Sequence, residues 1–189
     1  MKVAKILAVA ALLVAGSAQA AGYTTFEYHD ETKRSDDSTK QKMGVVVGNK
    51  LQGGLDYSVK LDVSQAEWGN GDIGSGVEAR VRQNFSNIGI FTPFAGVRLG
   101  QKLESDNRFS HYAVDAGLKF PLVGALSGEV GYRYRDAFSS ANAFNSNRYH
   151  TTISYAISKY DSVGLRYSQA YGTASEEKNA YRLTWTRNF

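Results

Sequence analysis

Leu55-Asp-Tyr-Ser-Val-Lys-Leu-Asp-Val63 carries an apolar side chain at every odd position and a polar or charged one at every even position. Successive side chains of an extended strand point to opposite faces, so Leu55, Tyr57, Val59, Leu61 and Val63 share one face. Asp56, Ser58, Lys60 and Asp62 share the other. The run exceeds the roughly five or six residues of an average soluble strand. No helical period competes with it.

The same alternation recurs on both sides of this stretch. Upstream, Met43, Val45 and Val47 oppose Lys42 and Gly44, and a weaker strand runs around Thr24 to Glu31. Downstream, Val77, Ala79 and Val81 oppose Glu78, Arg80 and Arg82, and Ala95, Val97 and Leu99 oppose Gly96, Arg98 and Gly100. Tyr112, Val114, Ala116, Leu118 and Phe120 oppose Asp115, Gly117 and Lys119; Val130, Tyr132 and Tyr134 oppose Glu129, Arg133 and Arg135. Tyr149 to Ile157 and Val163 to Tyr171 repeat the pattern with His150, Thr152, Ser154, Gly164, Arg166 and Ser168 on the polar side. In the closing stretch Tyr181, Leu183, Trp185 and Phe189 face one way, and Arg182, Thr184, Thr186 and Asn188 the other. Arg187, on the apolar face, is placed to snorkel to the membrane edge.

The connections alternate in kind. Residues 32–40, 67–74, 104–110, 137–147 and 173–178 are long and polar, whereas residues 52–54, 86–91, 121–125 and 159–162 are shorter. Long loops at one end and short turns at the other predict an all-β fold: an antiparallel, up-and-down transmembrane β-barrel of about ten strands, with eight or twelve as alternatives.

Alternation by itself also fits a soluble barrel, which is apolar within and polar without. Three features choose the membrane. The predicted strands are long enough for a tilted strand to cross a bilayer, about nine to eleven residues. Tyrosine and tryptophan recur at predicted strand ends, among them Tyr23, Tyr57, Trp68, Tyr112, Tyr134, Tyr149, Tyr155, Tyr171, Tyr181 and Trp185, as interfacial girdles require. The polar face carries charges and glycines that suit a wet or ion-paired lumen. Nineteen glycines, twelve tyrosines and two prolines are the composition of a β-protein.

At the N-terminus, Lys2 and Lys5 precede the apolar run Ile6 to Ala15 and an A-x-A-type site, Ser17-Ala-Gln-Ala20. This predicts a signal peptide over residues 1–20, with the barrel over residues 21–189. Without Lys2 and Lys5 the 22 basic residues become 20, against 18 acidic ones. A balance so near neutral, in an exported chain without a nucleic-acid-binding module, gives no reason to expect nucleic acid as a partner. The sequence has no cysteine, so no disulfide framework or lipidated cysteine is expected, and no histidine or carboxylate spacing calls for a metal or another cofactor.

Taking the polar face as the interior puts Lys60, Arg80, Arg82, Arg98, Lys102, Lys119, Arg133, Arg135, Arg166 and Arg182 in the lumen, against Asp56, Asp62, Glu78, Asp115 and Glu129. Two readings follow. An open lumen of this kind concentrates anions and passes them. Alternatively, the arginines and carboxylates fill a narrow barrel with paired charge, and the protein is a structural or adhesin-like barrel without conductance. A lipid- or peptide-acting outer-membrane enzyme is a third class, built on His29, His111 or His150, but no nucleophile–base spacing stands out. Ser110 and His111 point to opposite faces of one strand.

Three stretches carry a family resemblance: Phe26-Glu-Tyr-His-Asp-Glu31, Leu126-Ser-Gly-Glu-Val-Gly-Tyr-Arg-Tyr-Arg135 and the closing strand. Together they resemble the oligogalacturonate-specific porin family, and the last strand also resembles the C-terminal targeting strand of Gram-negative outer-membrane barrels. The resemblance implies a monomer in outer-membrane lipid and recognition of Tyr181, Leu183, Trp185 and Phe189 by the barrel-assembly machinery. It also implies an arginine-lined pore for small anionic or acidic oligosaccharide solutes, with Arg133 and Arg135 the best-matched arginines. The chain is shorter than that family by about one hairpin.

Overall fold

The computed structural model describes residues 22–35, 37–66, 73–103, 108–139, 145–172 and 177–189. The segment expected to be a signal peptide, Trp68 and the glycines at positions 69 and 71 lie outside the described residues. Among the described residues ten strands follow one another: β1 (Gly22–Lys33), β2 (Thr39–Lys50), β3 (Leu55–Ala66), β4 (Ile73–Asn84), β5 (Thr92–Leu103), β6 (Arg108–Pro121), β7 (Leu126–Ala137), β8 (Ser146–Ala156), β9 (Asp161–Tyr171) and β10 (Lys178–Asn188). Each pairs antiparallel with its neighbours in sequence, and β1 pairs with β10, so the sheet closes on itself.

Closure fixes the tilt. Stepping perpendicular to the strands carries Lys50 through Asp56, Arg82, Gly96, Asp115, Arg133, Arg148, Ala170 and Lys178 to Lys33. Lys50 lies one position beyond Asn49, the partner of Gly22, so the circuit returns displaced along β1 by twelve residues. With about 3.3 Å per residue and about 4.8 Å between strands, that stagger over ten strands inclines them by roughly 40° to the barrel axis. Strands of twelve residues, the length of β3, then rise roughly 30 Å, the thickness of a bilayer's hydrocarbon core.

The burial pattern is inverted relative to a soluble protein. On β3 the even residues Asp56 and Ser58 are 6% and 5% exposed, while the odd residues Tyr57 and Val59 are 45% and 44% exposed. Val81, Val97 and Val114, adjacent across β4, β5 and β6, face outward in the same way, as do Leu165 and Leu183 on β9 and β10. Such an outer surface is stable only against hydrocarbon, because in water it would form one contiguous apolar patch around the whole molecule.

Three of the four short turns, β2–β3, β4–β5 and β6–β7, are glycine turns. Gly53, Gly54, Gly89 and Gly124 all have positive φ, which other residues rarely adopt. Glycines on the inner face serve a different purpose. Gly48 lies opposite Tyr23 and Gly100 opposite His111, and a Cβ at either would come within 2.6 Å of the facing ring. Small residues on one strand thus admit large polar side chains from the next.

One girdle assignment does not hold. Tyr23 points inward and is 6% exposed, because it shares the odd face of β1 with Glu27, His29 and Glu31. Trp185 and Phe26 do face outward, stacked with ring centroids 5.5 Å apart. Phe189 is exposed beyond β10, its N–H donating to the Gly22 carbonyl at 2.9 Å. Arg187 also faces outward and pairs with Asp161 at 3.3 Å.

Candidate functional site: the charged lumen

An internal cavity of about 660 Å3 runs along the barrel and takes lining residues from all ten strands. Arg80, Arg98, Lys119, Arg133, Arg135, Arg166 and Arg182 line it together with Glu78 and Glu129. Arg82 and Asp115 also point inward and are buried. Their convergence follows from parity: each lies on the face of its strand opposite the apolar belt.

Charges this deeply placed require partners, and the structure supplies them in clusters. In one, the Arg98 guanidinium spans two acids, Nε donating to Asp115 and Nη1 to Glu78, both at 2.6 Å. Arg133 Nε lies 3.6 Å from the same Asp115 oxygen, and His111 is 3.8 Å from Glu78. In a second, Glu129 accepts from Arg82 at 2.7 Å and Arg166 at 2.9 Å, with His150 Nε2 3.2 Å away. Arg166 also donates to Thr152 at 2.7 Å. The Arg82–Glu129 contact joins β4 to β7, strands that are not neighbours, so it bridges lumen space rather than following the wall. The Arg82 guanidinium also stacks over the Phe94 ring, 3.4 Å from its centroid.

Three further clusters use residues that parity reasoning on the clearer strands missed. Glu27 accepts from Lys60 at 2.7 Å and from Arg182 at 3.3 Å. Glu31 gathers Lys42, Arg148 and Lys178 at 3.3–3.4 Å. Near the short-turn end, Asp56 accepts from Tyr23 at 2.8 Å and from Arg80 at 3.1 Å. Lys119 donates to Asn84 at 3.0 Å. β1 is polar on both faces, so its inward acids do not stand out from Asp30 and Thr32 on the outside. The available signal was the outward pair Phe26 and Tyr28, which fixes the parity of the strand. Arg148 lies at the long-loop end of β8, one residue outside the alternating run.

The three histidines all face the lumen and are buried, His29 at 4%, His111 at 5% and His150 at 7% exposure. Ser110, next to His111 in sequence, is exposed on the outer face.

No family model and no curated protein sequence matches the chain. Solved structures do resemble it in fold. An outer membrane channel from Pseudomonas putida F1 is 9% identical over 89% of this chain and 95% of that one, with a TM-score of 0.58. The beta domain of the Bordetella autotransporter BrkA is 11% identical over 90% of this chain and 100% of that one, with a TM-score of 0.56. The KdgM porin in complex with disordered oligogalacturonate is 14% identical over 87% of this chain and 99% of that one, with a TM-score of 0.52. The chain therefore has the fold of outer-membrane β-barrels and distantly resembles the KdgM porin.

Proposed function

We propose that the protein is an outer-membrane channel through which small anionic solutes diffuse passively. The supporting observation is the cavity and the balance of charge around it. Thirteen lysines and arginines line it against five aspartates and glutamates, and with the inward, buried Arg82, Glu31 and Asp115 included the balance is fourteen against seven. A low-dielectric wall focuses the field of such an excess and raises the local concentration of anions. Arg80, Arg82, Arg98, Arg133, Arg135, Arg166, Arg182 and Lys119 set that field. Glu78, Asp115 and Glu129 hold several of the guanidiniums in place, which keeps a pathway between them instead of a collapsed tangle of long side chains.

The cavity is modest for a barrel of this height, and the Arg82–Glu129 bridge narrows it further, so the passengers are small. Arginine forks match carboxylates bidentately, which favours organic acids and acidic sugars over halide alone. The oligogalacturonate of the KdgM complex belongs to that chemical class. With the two termini at the short-turn end, the long loops face outward from the cell and the short turns face the periplasm.

Purified protein in planar lipid bilayers is expected to give discrete currents, with a reversal potential in a salt gradient that reports anion preference. Replacing Arg133 and Arg135 together by glutamine is expected to lower that preference. A protein that inserts but carries no current at any voltage would sink the channel reading in favour of a barrel closed by its own ion pairs.

A further inference from the structure

The outer wall is not uniform around the barrel. In the half nearer the long loops, the described outward-facing tyrosines of β6 to β10 are Tyr112, Tyr132, Tyr134, Tyr149, Tyr167, Tyr171 and Tyr181. On the same half of β1 to β5, Tyr28 is the one described. A girdle that only anchors a barrel at the interface has no reason to be one-sided.

On this wall the phenols are tied to side-chain amides. Tyr132 donates to Asn147. Tyr171 donates to Gln169 at 3.1 Å, Gln169 donates to Tyr167 at 2.8 Å, and Tyr167 donates to Asn179 at 3.1 Å. The rings pair across strands, Tyr132 with Tyr149 and Tyr167 with Tyr181, each at 5.2 Å between centroids. Below them a surface groove of about 680 Å3 opens toward the lipid. Its floor is Ala116, Leu118 and Val130, and its upper rim is Tyr132, Tyr149 and Gln169.

We propose that this β6–β9 wall binds one lipid with a sugar headgroup, a glycolipid of the leaflet that the long loops face. Its acyl chain lies in the groove, and its sugar rings pack on the tyrosine faces beneath the amides. The chemistry is matched at each end. Apart from the Thr151 hydroxyl the floor is apolar and suits a hydrocarbon chain. Gln169, which donates one N–H to Tyr167 and accepts from Tyr171, keeps a second N–H and a lone pair for hydroxyl groups. Tyrosine supplies both a flat apolar face and a polar tip, the combination a sugar ring needs. A second copy of this chain would be a poorer occupant, because two concave grooves cannot fill one another.

The inference rests on the membrane placement proposed above, and the test separates the two. Protein in micelles is titrated with rough-type lipopolysaccharide, and with phosphatidylethanolamine as the sugar-free control, and bound lipid is counted by native mass spectrometry. One lipopolysaccharide per barrel is expected, in preference to phosphatidylethanolamine, with affinity at least tenfold weaker in Gln169→Leu and in Tyr149→Leu. Gln41→Leu, outward-facing on β2 and across the barrel from β7 and β8, is expected to bind as the unaltered protein does. Equal retention of both lipids, equal weakening by Gln41→Leu, or a lipid-free dimer would overturn the proposal. Folding of each variant is checked by its heat-dependent gel mobility. Insertion and current in the same preparation without selective lipid retention would defeat this inference alone, whereas failure to insert at all would defeat the membrane reading.

Discussion

Asp56 and Tyr57 are adjacent in the chain and live in opposite solvents. Asp56 is buried in the lumen with Tyr23 and Arg80, while Tyr57 is exposed on the outer surface. The same contrast separates Arg98 from Val97. The inner face is held by pairing: among the described residues each acid that points inward does so against at least one cation. The outer face is held by exclusion from water and makes few specific contacts. One face therefore depends chiefly on which partner each residue has, and the other chiefly on its hydrophobicity.

That contrast sets the order of expected effects. Glu129→Ala is the most damaging, because it strands Arg82 and Arg166 without their shared acid. Removing one member of a buried charge pair costs about 3–5 kcal/mol, to be read from urea unfolding in micelles. A loss below about 1 kcal/mol would mean that the lumen is wet enough to screen the pair. Val97→Arg, an outward change beside Val81 and Val114, is expected to cost about 2–4 kcal/mol in lipid vesicles, as cations do at the midplane of barrel walls. Equal stability of this variant in vesicles would show that β5 does not face hydrocarbon. Phe26→Ala, which removes the ring stacked on Trp185, is expected to cost about 1 kcal/mol beyond the lost apolar area. A double-mutant cycle with Trp185→Ala isolates that term and tests the closure of β1 on β10.

The fold was largely legible from alternation. A period of two assigns every residue of a strand to one of two faces once any one is placed, so Arg133, Arg135, Arg166 and Arg182 could be put on one surface without coordinates. Loop lengths then ordered the strands as a meander. β1 was the hard case: with acids on both faces it carries weak amphipathicity, and Glu27, Glu31 and Tyr23 were not counted among the lumen groups. Leaving them out makes the cationic excess look larger than it is, for it is Glu27 that meets Lys60 and Arg182.

By itself the sequence determined which residues share a face, because side-chain direction in a strand is a local property of backbone geometry. Which charge meets which was decided only by the tertiary structure. The twelve-residue stagger at closure and the curvature of ten strands bring β1 acids onto β3 and β10 cations, and Arg82 of β4 onto Glu129 of β7. No local rule encodes that stagger. It arises when the last strand must meet the first with every backbone hydrogen bond satisfied, a condition on the whole barrel rather than on any segment.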